Sequence, residues 1–390
     1  MPRRPGSAPA AAGGKHRRLS PILIAVAILA ILAAGWCGLW YYAASVADGT
    51  LAGWVAREAR AGRVYTCGSQ DISGFPFRIE ARCVQASASL GGFQPPLGVA
   101  AKEITFTAPV YHPTTLLGDV TGPLTVAPPG QPPWFVATWS LATMSLSGLP
   151  PNPDAFSVAI EQPHLDHGSG ASAATLFAAD NAVFQARIIS GSANDHPVVD
   201  AVLHFKSATA PAVHPLLTKP LQGDVEVVLR GLKDLSPKSL ADRFREMQTS
   251  GGSIEIKSLR IERPNAIVTG TGTLTLNQHG QLNGAISIAI AGLDNIVPEL
   301  GIDQLLAQGI NRLTGTSGPS GQGLSALDRL VPGLGGVVRD SANASVVDDL
   351  KKMGKPTQID DKPATALPLR FSNGSVFLGM IRIGEVPPLF

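Results

Sequence analysis

The sequence predicts a mainly β fold, a β-rich α+β protein in which a few helices pack on a long curved antiparallel sheet and one transmembrane helix precedes the sheet. Apolar and polar residues alternate with a period of two in many short segments. Glycine and proline, 42 and 32 of the 390 residues, separate those segments. Charged residues make up 15 % of the chain, below the roughly 25 % usual in soluble domains, which disfavours a helical bundle or a coiled coil.

The first element is an uncharged apolar stretch at residues 21–44, which predicts a transmembrane helix. At 1.5 Å per residue it spans about 36 Å, enough to cross a hydrocarbon core of about 30 Å. Five basic residues and no acidic residue precede it, and tryptophan and tyrosine collect at its far end. By the positive-inside rule, residues 1–20 form a cytoplasmic basic tail. We therefore expect a single pass through the bacterial inner membrane, with the bulk of the chain in the periplasm.

A cleaved secretory signal is the alternative reading of this stretch, because Ser45-Val46-Ala47 has the small-x-small form that precedes a cleavage site. The apolar stretch is longer than the 7–15 residues typical of a signal core, and it ends in an aromatic belt. Both features favour an uncleaved anchor, and either reading exports the rest of the chain. The segment 45–63 follows, where apolar residues near helical spacing predict a juxtamembrane helix.

The cysteines agree with export. Cys37 lies inside the apolar helix, whereas Cys67 and Cys83 flank a turn-like segment and would meet an oxidising compartment. We predict a disulfide between Cys67 and Cys83, and two unrelated thiols are the alternative. Closing a loop of about 17 residues would stabilise the fold by about 3 kcal/mol.

Residues 64–390 are predicted to form one β-rich periplasmic domain. An internal division near 233–252 is left open, because a helix with an N-cap at Ser236 is predicted there. Further helical stripes are predicted at 303–313 and 324–334. The remaining segments alternate as half-buried strands do, and the clearest of them lie at 64–84, 103–110, 136–146, 181–188, 198–205 and 224–232.

The strongest alternation lies in a hairpin at 253–291, where a change of phase predicts a bulge near Lys257 and Ser258. One face of this hairpin is continuously aliphatic and must be covered by something. It either lines an open apolar groove that takes acyl chains or belongs to a closed core, and the sequence does not decide between the two. The residues of this face are Ile254, Ile256, Val268, Leu274, Leu276, Ile286, Ile288 and Ile290.

No sequence motif indicates catalysis. The chain has no G-x-S-x-G elbow, no H-E-x-x-H pair and no P-loop, so we assign no catalytic residue and expect a protein that is not an enzyme. His164, Asp166 and His167 are interpreted as a polar turn, and we expect no metal and no cofactor. A net charge of +2 gives no basic surface for nucleic acid.

The segment Ile72-Ser73-Gly74-Phe75-Pro76-Phe77-Arg78, placed shortly after a single anchor, resembles the signature of a bacterial envelope family, domain of unknown function 2125. The closing stretches 369–379 and 383–389 are similar to the carboxyl end of that family. The resemblance covers about residues 20–390 and implies no known activity. It makes Gly74, Phe75, Pro76, Phe77 and Arg78 the signature positions.

A more distant resemblance concerns the strands at 270–274 and 282–290, which are similar to β-repeats of AsmA-like envelope proteins. That resemblance implies a curved sheet whose apolar face carries lipid. We therefore expect a membrane-anchored module that handles lipid, with acyl chains or envelope proteins as partners. The alternative is an envelope scaffold or protein-interaction factor with a closed β core.

Overall fold

The computed structural model describes residues 21–93, 95–149, 152–170, 173–213, 215–236, 238–296, 347–378 and 381–390. The helices of this described part are α1 (Pro21–Arg60), α2 (Leu240–Thr249) and α3 (Leu293–Ile296), with a short 3-10 helix at Pro215–Thr218 and a helical segment at 347–353. The helices predicted at 303–313 and 324–334 lie outside the described residues.

The strands are β1 (Arg63–Thr66), β2 (Ser69–Ser73), β3 (Arg78–Leu90), β4 (Leu97–Pro109), β5 (Thr115–Ala127), β6 (Phe135–Thr138), β7 (Leu141–Ser147), β8 (Ala155–Glu161), β9 (His164–His167), β10 (Ala174–Ala178), β11 (Asn181–Ser192), β12 (Asp195–Ala208), β13 (Leu221–Arg230), β14 (Ser253–Arg263), β15 (Ala266–Leu276), β16 (Leu282–Ala291), β17 (Lys355–Ile359), β18 (Lys362–Ser372), β19 (Ser375–Leu378) and β20 (Ile381–Glu385).

All of these strands belong to one antiparallel sheet, which confirms the predicted fold class. The long strands follow one another in the order β3, β4, β5, β7, β8, β11, β12, β13, β14, β15, β16 and β18. The shorter strands pair along parts of their edges. Near the segment 233–252, where a division was left open, β13 and β14 pair directly and the sheet continues.

The amino-terminal helix is continuous from Pro21 to Arg60, so the segments predicted at 21–44 and 45–63 form a single helix. Its apolar part is exposed, and it is long and apolar enough to cross a membrane. The helix then runs alongside β3 in the same direction. Trp40 hydrogen-bonds to the backbone where β3 begins, and the carbonyl of Gly62, just after the helix, accepts from Gly91, just after β3.

The bulge predicted near Lys257 and Ser258 is confirmed. On β14, Ile256 pairs with Val227 of β13 and Ser258 pairs with the adjacent Glu226, so Lys257 is the extra residue. The change of phase in the sequence is therefore a real insertion, and it keeps the aliphatic side chains before and after it on one face.

The start of α2 differs from the prediction. Ser239 is the N-cap, and its side chain accepts a hydrogen bond from the amide of Asp242. Ser236 instead donates its amide to Asp234, so the predicted N-cap was wrong by three residues. The helix covers the sheet with Met247, which is buried beside Val199 and Leu232.

Candidate functional site

An apolar row crosses the sheet on one face. Residues directly opposite each other in an antiparallel pair point to the same side, so the register of successive pairs identifies side chains that share a face. Followed from β4 to β18, the register joins eleven positions, all of them apolar or glycine. We call this set the apolar row: Phe106, Gly118, Met144, Val158, Phe184, Leu203, Val225, Leu259, Gly270, Ile288 and Leu367.

The opposite face of the same strands is mainly polar. The residues next to the apolar row in sequence form a parallel row on the other side of the sheet, and most of them carry hydroxyl or charged groups. They are Arg82, Thr105, Asp119, Thr143, Ala159, Val183, His204, Asp224, Arg260 and Thr269. The sheet is thus amphipathic over most of its width, because its alternation stays in phase from strand to strand.

At the carboxyl-terminal end, helices cover the apolar row. Leu367 is 1 % exposed and Ile288 is also buried, and both pack in a core with Leu293 of α3 and with Val347 and Leu350 of the segment 347–353.

The residues predicted to line an open groove fall in this covered region. Leu274, Ile286, Ile288 and Ile290 are buried in the same core, and three more are half-buried against it, namely Ile254, Ile256 and Val268. Leu276 packs against the cluster of Met247 under α2. The surroundings of these eight side chains are those of the closed-core alternative, because α2, α3 and the segment 347–353 lie over them.

Among the described residues, the middle part of the apolar row is more exposed than its carboxyl-terminal end. Phe184 and Leu203, which face each other on β11 and β12, are each 39 % exposed. Met144, Val158 and Val225 beside them are half-buried. We call this middle part, from β7 to β13, the trough. Period-two alternation located most of its strands, but the register that aligns their apolar residues could not be derived from the sequence.

At the amino-terminal end, the face of the apolar row borders a cavity of about 390 Å³ between α1 and the first strands, which we call the helix-side cavity. Its lining is mainly apolar. The lining residues are Leu51, Trp54, Val55, Tyr65, Thr66, Cys67, Gln70, Ala81, Arg82, Cys83, Ala86, Ser87, Ala88, Val99, Ala101, Ile104, Phe106 and Leu124.

The cavity exists because large side chains of α1 lie over small ones of the sheet. Ala86 and Ala101 are buried on neighbouring strands, and neither fills the space below the helix. On the helix side, Trp54 packs on Tyr65 of β1 with ring centroids 4.8 Å apart, so a large aromatic pair lies between α1 and the sheet. The lining from Ala81 to Ala88 follows about 23 Å of strand, so the cavity extends along β3.

Covalent and polar contacts hold the wall of the cavity in place. Cys67 and Cys83 form a disulfide, which confirms the predicted pair, and both line the cavity. Arg82 donates to the two carboxylate oxygens of Glu103 at 2.7 and 2.9 Å, and these hydrogen bonds lower the pKa of Glu103. Gln70 donates to Asp48 of α1 at 3.2 Å and so ties the sheet to the helix.

The turn at Gly74–Arg78, which we call the signature turn, docks on α1. The indole nitrogens of Trp36 and Trp40 donate to the carbonyls of Pro76 and Arg78, at 3.1 and 2.9 Å. Gly74 has φ +103°, and a Cβ there would lie 2.8 Å from the carbonyl oxygen of Arg78, so the turn requires glycine. The geometry of the turn therefore explains the glycine of the sequence signature.

The comparison with family models agrees with this signature. Residues 40–387 match DUF2125, described as an uncharacterized protein conserved in bacteria. The chain belongs to the DUF2125 family. No curated protein matches this DUF2125 chain. The distant resemblance to AsmA-like proteins stays a prediction.

The histidine-containing segment of this DUF2125 protein, interpreted from the sequence as a polar turn, is instead the strand β9, which pairs with β6 and β10. His164 lies 3.0 Å from a carboxylate oxygen of Asp166, which also accepts from Thr175 at 3.1 Å. Within the described ranges, no group of three His, Cys, Asp or Glu residues is placed to hold a metal ion. The apolar row and the helix-side cavity are therefore the candidate site.

Proposed function

We propose that this protein is a non-enzymatic, single-pass membrane protein of the bacterial envelope that binds lipid acyl chains on the apolar face of its sheet. The observation that carries the proposal is the apolar row, which stays in register over eleven strands. Phe106, its first residue, lines the helix-side cavity next to the apolar helix. A chain that leaves the membrane beside α1 would meet apolar surface continuously from the cavity to the trough.

The anchor is proposed to be uncleaved, with the amino terminus in the cytoplasm and the sheet in the periplasm. Cleavage after Ala47 would remove Trp36 and Trp40, which donate hydrogen bonds to the signature turn. It would also cut a helix that continues to Arg60. The basic residues before the helix support this orientation, and the disulfide supports an oxidising compartment.

An acyl chain fits the helix-side cavity in size and polarity. A volume of about 390 Å³ lies within the range of about 300–1,000 Å³ that small-molecule sites occupy. Burying a methylene stabilises a ligand by about 0.8 kcal/mol relative to water, but a chain that comes from the bilayer is already buried there. Transfer of an acyl chain from the membrane to the sheet then changes the free energy little, so the protein can bind and release lipid reversibly.

Native mass spectrometry with lipid extraction tests the proposal on the full-length protein purified in mild detergent. Phe184→Asp places a charge in the trough, and Val183→Asp places the same charge on the opposite face one residue earlier. We expect phospholipid on the wild type and on Val183→Asp and its loss from Phe184→Asp, with both variants folded by circular dichroism.

A folded wild type without lipid would contradict acyl-chain binding and support the alternative, an envelope scaffold or protein-interaction factor. Equal lipid content in the two variants would also contradict the proposal, because the bound lipid would then lie outside the trough.

A further inference from the structure

Three large aromatic side chains are exposed at one end of the first strands. Phe75 and Phe77 belong to the signature turn, and Phe77 is 66 % exposed. Tyr111, 73 % exposed, lies in the next turn, at 110–114 between β4 and β5. The amide of Val110 donates to the carbonyl of Phe77 at 2.9 Å, so the two turns lie side by side. Exposed aromatics grouped in this way mark an interaction surface.

The two tryptophans of α1 set the height of this surface relative to the membrane. Trp36 and Trp40 lie about 22 and 28 Å along the helix from Pro21, at 1.5 Å per residue. A hydrocarbon core is about 30 Å thick, so Trp40 lies near its far boundary and Trp36 about 8 Å inside it when the apolar stretch spans the core from Pro21. Their hydrogen bonds to Pro76 and Arg78 hold the signature turn beside this last part of the membrane-spanning stretch.

The chemistry of the surface matches a membrane interface. Tyrosine has an apolar ring with a polar tip, and side chains of this kind concentrate where hydrocarbon meets water. Tyr41 and Tyr42 of α1 are exposed about one and a half helical turns beyond Trp36. Arg78, with an exposed side chain paired to Glu80 at 3.2 Å, is long enough to reach headgroup phosphates from the edge of the turn.

From these observations we propose that the signature turn and the 110–114 turn form a second membrane contact, in which Phe75, Phe77 and Tyr111 insert into the bilayer interface beside α1. We call these three residues the aromatic foot. The inference rests on the proposed membrane anchoring of α1. Because Ala81 of the helix-side cavity lies three residues above Arg78 on β3, the foot holds the lower end of the cavity against the lipid surface.

Site-specific fluorescence on the full-length protein in phosphatidylcholine and phosphatidylglycerol vesicles tests this contact. In a Cys37→Ser background with the disulfide intact, single cysteines are introduced by Phe77→Cys or Tyr111→Cys and carry an environment-sensitive fluorophore. Leu32→Cys, on the exposed apolar part of α1, is the positive control for contact with lipid. Val213→Cys, exposed at the opposite end of the strands, is the negative control. Quenching is measured with spin labels attached to the lipid.

We expect blue-shifted emission and strong quenching by lipid-borne spin labels at positions 32, 77 and 111, and neither effect at position 213. Quenching at 32 but not at 77 and 111 would overturn the aromatic foot and leave the anchor intact. Absence of quenching at 32 would overturn the anchor and the foot together. A blue shift at 77 that grows with protein concentration, without quenching by lipid, would assign the surface to a second copy of the chain and overturn the proposal.

Discussion

The two ends of the apolar face show how side-chain size decides between a cavity and a core. Under α1, the sheet presents small residues such as Ala86 and Ala101, and a cavity of about 390 Å³ remains. Under α3 and the segment 347–353, the sheet presents Ile286, Ile288 and Leu367, which fill the space. Both ends have the same amphipathic strands and a helix above them. The difference lies in the volume of the residues that face the helix.

The largest effect on stability is expected when a fully buried side chain of the apolar row is truncated, and an exposed side chain of the same row serves for comparison. Leu367→Ala removes a side chain that is 1 % exposed and leaves a hole in the core, so we expect a loss of about 2–5 kcal/mol in the free energy of unfolding. Leu203→Ala, in the trough, is the matched control and should cost clearly less. Urea denaturation measures both, and equal losses would show that the trough is as closed as the core.

Removing the disulfide should destabilise the cavity end. Cys67→Ser together with Cys83→Ser releases a loop of about 17 residues, and we expect a loss of about 3 kcal/mol in unfolding free energy. Cys37→Ser, which changes the free cysteine of α1, is the control and should have no such effect. A stability unchanged by reductant in the wild type would refute this assignment.

An ion cluster on α2 and the residues before it should make the stability of the protein sensitive to acid. Glu246 is buried, which raises its pKa, but hydrogen bonds from Lys238 at 2.7 Å and from the amide of Lys233, together with the charge of Arg243, lower that pKa below 4.5 overall. Because the folded pKa lies below the unfolded one, the stabilisation is complete above about pH 4.5 and disappears as the pH falls through the folded value.

Glu246→Gln should accordingly cost about 1–3 kcal/mol at pH 7 and flatten the loss of stability below pH 4.5. Thermal unfolding from pH 3 to pH 7 measures both effects. A variant as acid-sensitive as the wild type would contradict the role of this carboxylate. Glu255→Gln, at an exposed ion pair with Arg230, is the control and should change little.

The smallest effect on stability is expected when a larger side chain is placed in the helix-side cavity. Ala101→Leu adds volume beneath α1, where space is open, so we expect a change in unfolding free energy near zero together with loss of bound lipid. Ala291→Leu adds the same volume to a packed cluster, where overpacking should cost about 1–3 kcal/mol. Ala101 is 7 % exposed and Ala291 is 3 % exposed, so the pair is matched in burial. Equal costs would mean that the cavity does not accept a side chain.

Local patterns in the sequence were sufficient for many of the strands, the bulge at Lys257 and the disulfide, but they did not indicate β5, β8 or β9. Alternation and spacing act over a few residues, and such features follow from them directly. The groove prediction selected the most strongly aliphatic hairpin, and the structure places that hairpin in the core. Strong aliphatic patterns indicate burial, whereas the exposed part of the row contains Phe184 and Leu203, in weaker patterns.

The helix-side cavity could not be predicted from the sequence, because it depends on which strands α1 covers. Trp54 and Ala101 are far apart in the chain and meet only through the pairing of β3 with β4 and the path of α1. The signature turn was recognised, but its contact with Trp36 and Trp40 was not. The register between distant strands and the docking of α1 on the sheet are therefore the features that the structure adds to the sequence predictions.

The most direct test of lipid binding on the apolar face is photo-crosslinking in cells. A benzophenone amino acid is introduced at position 184, in the trough, or at position 183, on the opposite face of the same strand. After irradiation, mass spectrometry of the full-length protein identifies lipid adducts. We predict phospholipid adducts at position 184 and none at position 183. Adducts at neither position, or equally at both, would contradict the account.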